Sequence, residues 1–444
     1  MKVLFISLGC DKNLVDTEEM LGILGDNGYT FTDDETEADI IIINSCCFIN
    51  DAKEESINTI IEMAKCKEEY VCKSLIVTGC LAQRYKDEIL KEIPEVDGIL
   101  GTANYDAIAE IVKQSLSKEL EEAVNSECFS LDRLPKLSKR IITTGGYYAH
   151  LKIAEGCNKN CTYCIIPKIR GKYRSYPIEE LVAQAVELAE SGVKELILIA
   201  QETTLYGVDL YGEKSLHKLL KELCKIKALK FIRIMYCYPE EIYDELIETI
   251  KNESKICNYL DIPIQHANDT ILKRMGRRTD KEKLISIINK LREEIPDIAI
   301  RTTLISGFPG ETKEAHEELL DFVDEMEFER LGVFAYSPEE GTGASIMPDQ
   351  IEESVKEDRR DEIMELQQEI AFEKSESMIG RELVVIIDGK LPNENAYVGR
   401  TYMDAPGIDG NIFINTYEEL MSGDFVKVKV TGSYEYDLIG EIVN

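Results

Sequence analysis

Apolar and polar residues alternate between two kinds of segment along the first hundred residues. Short runs rich in Val, Ile and Leu have the length of strands, and each is followed by a stretch with apolar residues three or four positions apart. The isoleucines at 40–43 are uninterrupted, which is typical of a parallel strand buried on both faces. We therefore predict that residues 1–115 form a parallel α/β domain, with strands in KVLFIS, ADIIIIN and SLIVT and helices near 14–25, 51–65 and 83–93.

The alternation resumes at residue 147 after a segment without clear periodicity. Residues 116–146 are acidic at first and then basic and irregular, so we predict a linker. Six strand-like runs separated by helix-like stretches follow: YAHLKIA, ELILIAQ, FIRIMY, YLDIPIQ, IAIRTTLIS and RLGVFAYS. Because a complete TIM barrel needs eight such units, residues 147–377 are predicted to form a partial (β/α) barrel that ends in a charged helix.

The last segment changes character. Between residues 378 and 444, the short strand-like runs ELVVIID, YVGRTY, GNIFIN and DFVKVKV are separated by Gly, Asn, Asp and Pro, which predicts a small antiparallel β-barrel. No apolar run approaches the ~20 residues of a membrane helix. The chain also opens on a strand rather than on a signal peptide, so we expect a cytoplasmic protein without a membrane anchor.

Charge and cysteine content narrow the function classes. A net charge of −33 over 444 residues argues against a general nucleic-acid binder and suits a basic protein partner, although it also suits plain solubility. Thirteen cysteines in a chain without a secretion signal indicate a reducing compartment and metal or redox chemistry.

Three cysteines recur at equivalent places in the first domain. Cys10, Cys46 and Cys80 each come just after a predicted strand. Ligands of open parallel sheets bind outside the carboxyl ends of the strands, so we expect the three thiols to share a metal site. Three unrelated buried thiols are the alternative, and the neighbouring Cys47 is an alternative ligand to Cys46.

A denser motif lies in AEGCNKNCTYCIIP, directly after the first barrel strand. Cys157, Cys161 and Cys164 form C-x3-C-x2-C on the face where barrel active sites lie. Iron–sulfur cubanes usually take four cysteine thiolates, so three would leave one iron with an open position. A zinc site would want a fourth ligand, and this loop has none.

With an aromatic residue before its last cysteine, this motif resembles that of the radical S-adenosylmethionine (SAM) superfamily. The whole chain is similar to the methylthiotransferases of that superfamily. The segments SLGCDKNLVDTEE, NSCCFIN, VTGCLAQR, RGKYRSYPIEEL, DIPIQHAND, RTTLISGFPGET and YSPEEGTGA are closest to the ribosomal-protein aspartate methylthiotransferases. In the family's NTCGFID motif a glycine stands where this chain has Cys47, which aligns Cys46 with the ligand.

The resemblance implies two 4Fe-4S clusters, one on Cys157, Cys161 and Cys164 and an auxiliary one on Cys10, Cys46 and Cys80. It implies SAM as cofactor, a TRAM-like C-terminal barrel that docks the substrate, and an aspartate of small-subunit ribosomal protein twelve as the target. One SAM would yield the radical that abstracts a substrate hydrogen, and a second would supply the methyl group. The implied SAM contacts are Tyr163, Gln201, Glu202, Arg301, Gly307 and Gly310, and the implied substrate contacts are His266 and Glu340. Core, loop or purely structural roles are the alternatives for these residues.

Two other functions fit parts of the pattern. A tRNA-adenosine methylthiotransferase would share the scaffold, but its tail should be basic, whereas residues 378–444 carry five basic against eleven acidic residues. An iron–sulfur electron carrier would need no barrel with SAM-like loops. We expect an electron donor such as flavodoxin or ferredoxin, while the sulfur donor is not readable from the sequence. Six further cysteines have no ligand-like context and are predicted to be structural: Cys66, Cys72, Cys128, Cys224, Cys237 and Cys257.

Overall fold

The computed structural model describes residues 1–117, 129–392 and 394–443, so Cys128 and the rest of residues 118–128 of the predicted linker lie outside the described residues. The first sheet has five parallel strands in the order β2-β1-β3-β4-β5. They are β1 Lys2–Ser7, β2 Thr30–Phe31, β3 Ile40–Ser45, β4 Ser74–Gly79 and β5 Gly98–Leu100. The three predicted strands are confirmed. Strands β2 and β5 were not predicted, because two or three residues are too few to show a period.

Helices connect these strands in the parallel sense. They are α1 Asp11–Asp26, α2 Asn50–Ala64, α3 Cys66–Glu69, α4 Cys80–Arg84, α5 Lys86–Glu92 and α6 Ile108–Ser117. The helix predicted over 83–93 is two short helices, because Tyr85 leaves helical geometry at φ −125° and ψ 34°. Every residue of β3 and β4 is buried, as the isoleucine run indicated.

The second sheet forms the partial barrel. Its six parallel strands are β6 Tyr148–Lys152, β9 Glu195–Ile199, β10 Phe231–Ile234, β11 Ile256–Asp261, β12 Ala299–Ser306 and β13 Arg330–Ala335, and they neighbour one another in chain order. All six predicted runs are confirmed. A two-stranded antiparallel clasp, β7 Ala154–Glu155 and β8 Arg174–Ser175, brackets the segment that carries C-x3-C-x2-C and was not predicted.

Helices cover the outer face of this sheet. They are α7 Ile166–Arg170, α8 Ile178–Glu190, α9 Val208–Tyr211, α10 Leu216–Cys224, α11 Asp244–Asn252, α12 Asp269–Arg274, α13 Lys281–Glu294, α14 Lys313–Met326 and α15 Glu353–Ser377. Asp280 and Thr312 cap α13 and α14 with side-chain oxygens that accept backbone N–H groups. Among the helices of the described residues, none has the length and apolar content to cross a bilayer.

The C-terminal domain is a closed barrel of five strands in the order β14-β15-β16-β18-β17. They are β14 Glu382–Lys390, β15 Ala396–Arg400, β16 Ile412–Asn415, β17 Phe425–Tyr434 and β18 Asp437–Ile442. Closure leaves no free edge to pair with another chain. The neighbours are antiparallel except β16 and β18, which run parallel. Four of these strands match predicted runs, and β18 was not predicted.

This C-terminal barrel packs against the interior of the larger one through buried charges. Glu195 opens β9 and is fully buried, with its Oε1 3.0 Å from Arg233 Nε and its Oε2 2.8 Å from Arg400 Nη1. Arg400 comes from the C-terminal barrel, where Asp388 also pairs with it at 2.9 Å. The C-terminal barrel therefore covers the side of the larger barrel where β9 begins, and the carboxyl ends of the strands remain for chemistry.

A second set of buried charges joins the first domain to the larger barrel. Asp16 of α1 meets Lys152 of β6, Glu155 of β7 and Arg170 of α7, and we refer to these four residues as the junction cluster. Arg170 Nη1 lies 2.8 Å from Asp16 Oδ2 and 3.2 Å from Glu155 Oε1, and Lys152 Nζ contacts both carboxylates. Each side chain is at most 3% exposed. Two cations balance two anions, so the cluster is neutral and fully paired.

Replacing Lys152 with Met should destabilise the protein strongly. The change leaves two carboxylates to share one arginine away from water, and breaking a buried ion pair in this way costs about 3–5 kcal/mol. Urea unfolding followed by circular dichroism measures the shift in midpoint. The matched control is Lys225→Met, because Lys225 pairs with Glu222 at 2.7 Å with 68% of its side chain exposed. It should cost less than about 1 kcal/mol, and equal shifts for the two variants would contradict the role of the junction cluster.

Candidate functional site

Three cysteines meet at the carboxyl edge of the first sheet. Cys10 precedes α1, Cys46 follows β3, and Cys80 opens α4 directly after β4. Gly9 has φ +89°, and a Cβ at Gly9 would lie 2.8 Å from Cys46 Sγ, so the loop that carries Cys10 packs directly on Cys46. The predicted convergence of these three thiols on one edge follows from the order of the strands, since β1, β3 and β4 are neighbours.

Polar groups surround the most buried of these thiols. Cys80 Sγ lies 3.7 Å from Asn13 Oδ1 and 3.9 Å from Arg170 Nη2. Burial raises the pKa of Cys80 and also that of Cys46. Such thiols stay protonated until a metal displaces the protons, so binding of a metal group here would release protons.

The second triplet lies in the loop between β7 and α7. Cys157 N–H donates to the Gly171 carbonyl at 3.1 Å, and Cys164 N–H donates to the Cys161 carbonyl at 3.1 Å, which folds the loop into a tight turn. Cys157 and Cys161 are each 7% exposed. Burial raises the pKa of Cys157 to about 11 and that of Cys164 to about 12.

In the part of the chain that the structure describes, the two triplets form no site for a single metal ion. In the described part of the chain, no three His, Cys, Asp or Glu side chains are placed so that they could hold one metal ion. A cubane presents several irons to its thiolates, so its ligands need not point at one atom. The other described cysteines are buried or half-buried: Cys47, Cys66, Cys72, Cys224, Cys237 and Cys257.

Just after β9, one carboxamide oxygen of Gln201 and one carboxylate oxygen of Glu202 lack a hydrogen-bond donor among the described residues. Glu202 is fully buried, and its Oε1 accepts the Thr204 N–H at 2.9 Å. Its Oε2 and Gln201 Oε1 are buried and accept no hydrogen bond from the described residues. Burial raises the pKa of Glu202 to about 7. Buried acceptors normally find a donor, so this pair fits the ammonium group of SAM.

Aromatic residues line the loop of the second triplet. Tyr163 meets Phe308 edge to face, with centroids 6.5 Å apart. Tyr238, which reasoning from the sequence missed, has its hydroxyl 3.6 Å from Cys161 Sγ. The guanidinium carbon of Arg277 lies 4.2 Å from the centroid of the Tyr238 ring. The only sequence signal for Tyr238 is its position just beyond β10, near the carboxyl ends of the strands.

Arg301 is held by two aspartates. Its Nη1 lies 2.9 Å from Asp261 Oδ1, and its Nε lies 3.4 Å from Asp409 Oδ1 in the C-terminal barrel. Arg301 therefore links the two barrels. The guanidinium that was predicted to contact SAM is paired with two carboxylates of the protein.

Gly307 and Gly310 were predicted to let SAM approach the backbone closely. In the structure, side chains of the protein pack against both glycines. Their φ angles are +67° and +82°, in the region that favours glycine. A Cβ at Gly307 would lie 2.2 Å from Lys356 Cγ, and a Cβ at Gly310 would lie 2.6 Å from Arg274 Cζ.

The two implied substrate contacts lie in different surroundings. His266 is fully buried, its Nδ1 accepts two backbone N–H groups at 2.9 Å, and its Nε2 lies 3.3 Å from Glu311 Oε2. Glu340 is exposed and accepts a hydrogen bond from the Tyr85 hydroxyl at 3.1 Å. The structure thus places His266 inside the barrel wall and Glu340 against the first domain.

One side chain connects the two cysteine loops. Arg170 ends α7, the helix after Cys164, and contacts Asn13 and Cys80 of the first domain. The two triplets therefore belong to one continuous structure rather than to independent domains.

Comparison with known families covers nearly the whole chain. Residues 2–101 match the uncharacterized protein family UPF0004, residues 151–323 the radical SAM superfamily, and residues 379–443 the TRAM domain. The chain is 64% identical over 441 residues to the ribosomal protein uS12 methylthiotransferase RimO of Lachnoclostridium phytofermentans, covering 99% of both chains. It is 51% identical over 449 residues to the protein of the same name from Acetivibrio thermocellus, covering 100% of this chain and 98% of that one.

Solved structures share the fold at low identity. The radical SAM methyltransferase TsrM of Kitasatospora setae, solved with cobalamin and a 4Fe-4S cluster, aligns with a TM-score of 0.54 and 13% identity. That alignment covers 78% of this chain and 77% of TsrM. The cobalamin-dependent radical SAM enzyme OxsB, solved with SAM, aligns with a TM-score of 0.50 and 14% identity, over 83% of this chain and 56% of OxsB.

Anaerobically reconstituted protein should hold about eight iron and eight sulfide, as two cubanes require. Changing Cys157, Cys161 and Cys164 to Ala should halve the iron and abolish SAM cleavage, because SAM needs that open iron. Changing Cys10, Cys46 and Cys80 to Ala should also halve the iron but leave SAM cleavage detectable. Iron and sulfide assays with chromatography of the cleaved nucleoside measure this, and wild-type iron content in either triple variant would contradict the assignment.

Cys46 and Cys47 should behave differently. Cys46 packs on the loop of Cys10, whereas Cys47 is fully buried in the apolar core beside Arg84, and burial raises its pKa to about 11. Cys46→Ala should therefore lose the absorbance of the auxiliary cluster, and the matched variant Cys47→Gly should keep it. The opposite result would move the ligand by one position.

Proposed function

Because the chain belongs to the ribosomal protein uS12 methylthiotransferases, a family of radical SAM enzymes, we propose that it methylthiolates the β-carbon of an aspartate in uS12, the small-subunit ribosomal protein twelve. The proposed cofactors are two 4Fe-4S clusters, and two molecules of SAM are used in each turnover. The proposal extends the family assignment to the target atom and to the number of clusters.

The observation that carries this proposal is the pair of three-cysteine sites joined through Arg170. Three thiolates leave one iron of a cubane open, so one site can take SAM and the other can take sulfur. When bound, the clusters and SAM supply the radical cleavage of the C–H bond and the methylthio group. The chain supplies placement of these groups and exclusion of water.

Particular residues have particular tasks in this scheme. Cys157, Cys161 and Cys164 hold the SAM-binding cluster, and the free oxygens of Gln201 and Glu202 accept the ammonium group of SAM. The junction cluster fixes α1, which follows Cys10, against the strand and helix that flank the second triplet. The distance between the two cysteine sites is thereby set by buried ion pairs rather than by a flexible linker.

The charge of the C-terminal barrel supports a basic protein as substrate. Asp388 and Asp404 are used in pairs with arginines, but Glu418, Glu419 and Glu435 are exposed. An exposed acidic surface attracts a Lys- and Arg-rich protein and repels the phosphates of tRNA. We propose that this surface docks uS12 in the cytoplasm, with flavodoxin or ferredoxin as the electron donor.

Mass spectrometry of cells with and without the gene tests the substrate. The tryptic peptide of uS12 that carries the target aspartate should gain the mass of a methylthio group in place of one hydrogen only when the gene is present. Nucleosides from tRNA of the same cells are the matched control, and their methylthio-adenosine content should not depend on the gene. Loss of the tRNA modification with an unchanged uS12 would contradict the proposed substrate and leave the cluster assignment standing.

A further inference from the structure

A buried ammonium group lacks a counter-ion where the first domain meets the larger barrel. Lys12 lies two residues after Cys10, in the first turn of α1, and is 7% exposed. Its Nζ lies 3.0 Å from the centroid of the Tyr236 ring. Among the residues that the structure describes, no carboxylate oxygen lies within 4.0 Å of this nitrogen and no acceptor forms a hydrogen bond with it. Burying a cation in this way is unfavourable unless an anion binds to it.

The nearest carboxylates are already engaged. Asp11 accepts a hydrogen bond from the Tyr236 hydroxyl at 3.3 Å. Asp261 accepts the Tyr236 backbone N–H at 3.0 Å and pairs with Arg301 at 2.9 Å. Neither is free to turn toward Lys12 without giving up these partners.

Lys12 differs in this respect from the other buried cations around the two cysteine sites. Arg170 lies 2.8 Å from Asp16, Lys159 lies 3.6 Å from Glu240, and Arg277 lies 3.8 Å from the same Glu240. Each of them is neutralised by the protein, whereas the face of an aromatic ring is the only partner that the described residues give Lys12.

The ring beneath Lys12 belongs to the mouth of the barrel. Tyr236 follows β10 and adopts φ +61°, a conformation that non-glycine residues adopt at a cost. Its carbonyl accepts the N–H of Thr203, the residue after Glu202. The ammonium group therefore stands between the loop of Cys10 and the strand ends that carry the proposed SAM contacts.

We propose that Lys12 binds the carboxylate of the substrate aspartate. This inference rests on the proposed function and names the residue that recognises its target. The carboxyl carbon of an aspartate is bonded to its β-carbon, so a cation that holds the carboxylate also fixes the C–H bond that reacts. Because Cys10 is the N-cap of α1 and Lys12 lies in its first turn, the anchor and one cysteine of the auxiliary site belong to the same helix end.

Two other anions could reach this ammonium group, namely the carboxylate of SAM and an auxiliary cluster itself. The test must therefore measure substrate recognition, SAM binding and iron content separately. Asparagine is the informative substitute for the target residue, because it has nearly the shape of aspartate and no charge.

Binding of reconstituted enzyme to uS12 with the target Asp or with Asn at that position tests the proposal. Wild-type enzyme should bind the Asp form about 10- to 100-fold more tightly, the range for a charged hydrogen bond. Lys12→Met should reduce this ratio to about one, and Lys12→Arg should restore a preference for Asp. The matched control Lys113→Met removes an exposed lysine of α6 and should keep the wild-type ratio.

Three results would overturn the proposal. A wild-type ratio in a Lys12→Met enzyme that still methylthiolates uS12 overturns the role of Lys12 alone. An unchanged ratio with weakened SAM binding or lowered iron content assigns Lys12 to SAM or to the auxiliary cluster instead. A wild-type enzyme that neither binds nor modifies uS12 overturns the proposed function and this inference together.

Discussion

The arrangement of this molecule depends on the junction cluster of Asp16, Lys152, Glu155 and Arg170. Two cations and two carboxylates are buried together, so removing any one of them leaves a charge that water cannot reach. The cluster joins α1 to β6, β7 and α7, and these elements follow or flank the two cysteine loops. Chemistry that needs two metal groups at a fixed separation requires such rigidity, because a flexible linker would let the distance vary.

The C-terminal barrel has a structural role besides the docking proposed for it. Arg400 of the smaller barrel and Arg233 of the larger barrel both pair with the buried Glu195 of the larger barrel. Conversely, Arg301 of the larger barrel pairs with Asp409 of the smaller one. These pairs cross between the two barrels, so the smaller one completes the packing of an incomplete sheet. A six-stranded parallel sheet leaves one side of its interior open, and a separate domain is needed to cover it.

Among the described residues, three polar groups without a hydrogen-bond partner lie near the carboxyl ends of the strands. Gln201 and Glu202 have free acceptors there, and Lys12 has a free ammonium group above Tyr236. By contrast, the buried carboxylate of Glu195 is paired with two arginines. The unpaired acceptor oxygens of Gln201 and Glu202 are complementary to an ammonium group, and the ammonium group of Lys12 is complementary to a carboxylate. One ligand that carries both groups, or two ligands bound side by side, would satisfy them.

Sequence by itself determined the strands, the parallel sheets and both cysteine motifs, because burial on two faces gives continuous apolar runs and because cysteine spacing is local. It did not predict β18 or the short strands β2, β5, β7 and β8, and these short strands exist only through pairing with neighbours. Only the tertiary structure decided that Arg301 pairs with Asp409 and that Lys12 finds no anionic partner among the described residues. These contacts depend on which side chains from distant segments meet in the folded protein, and the pattern of residues along the chain does not determine that.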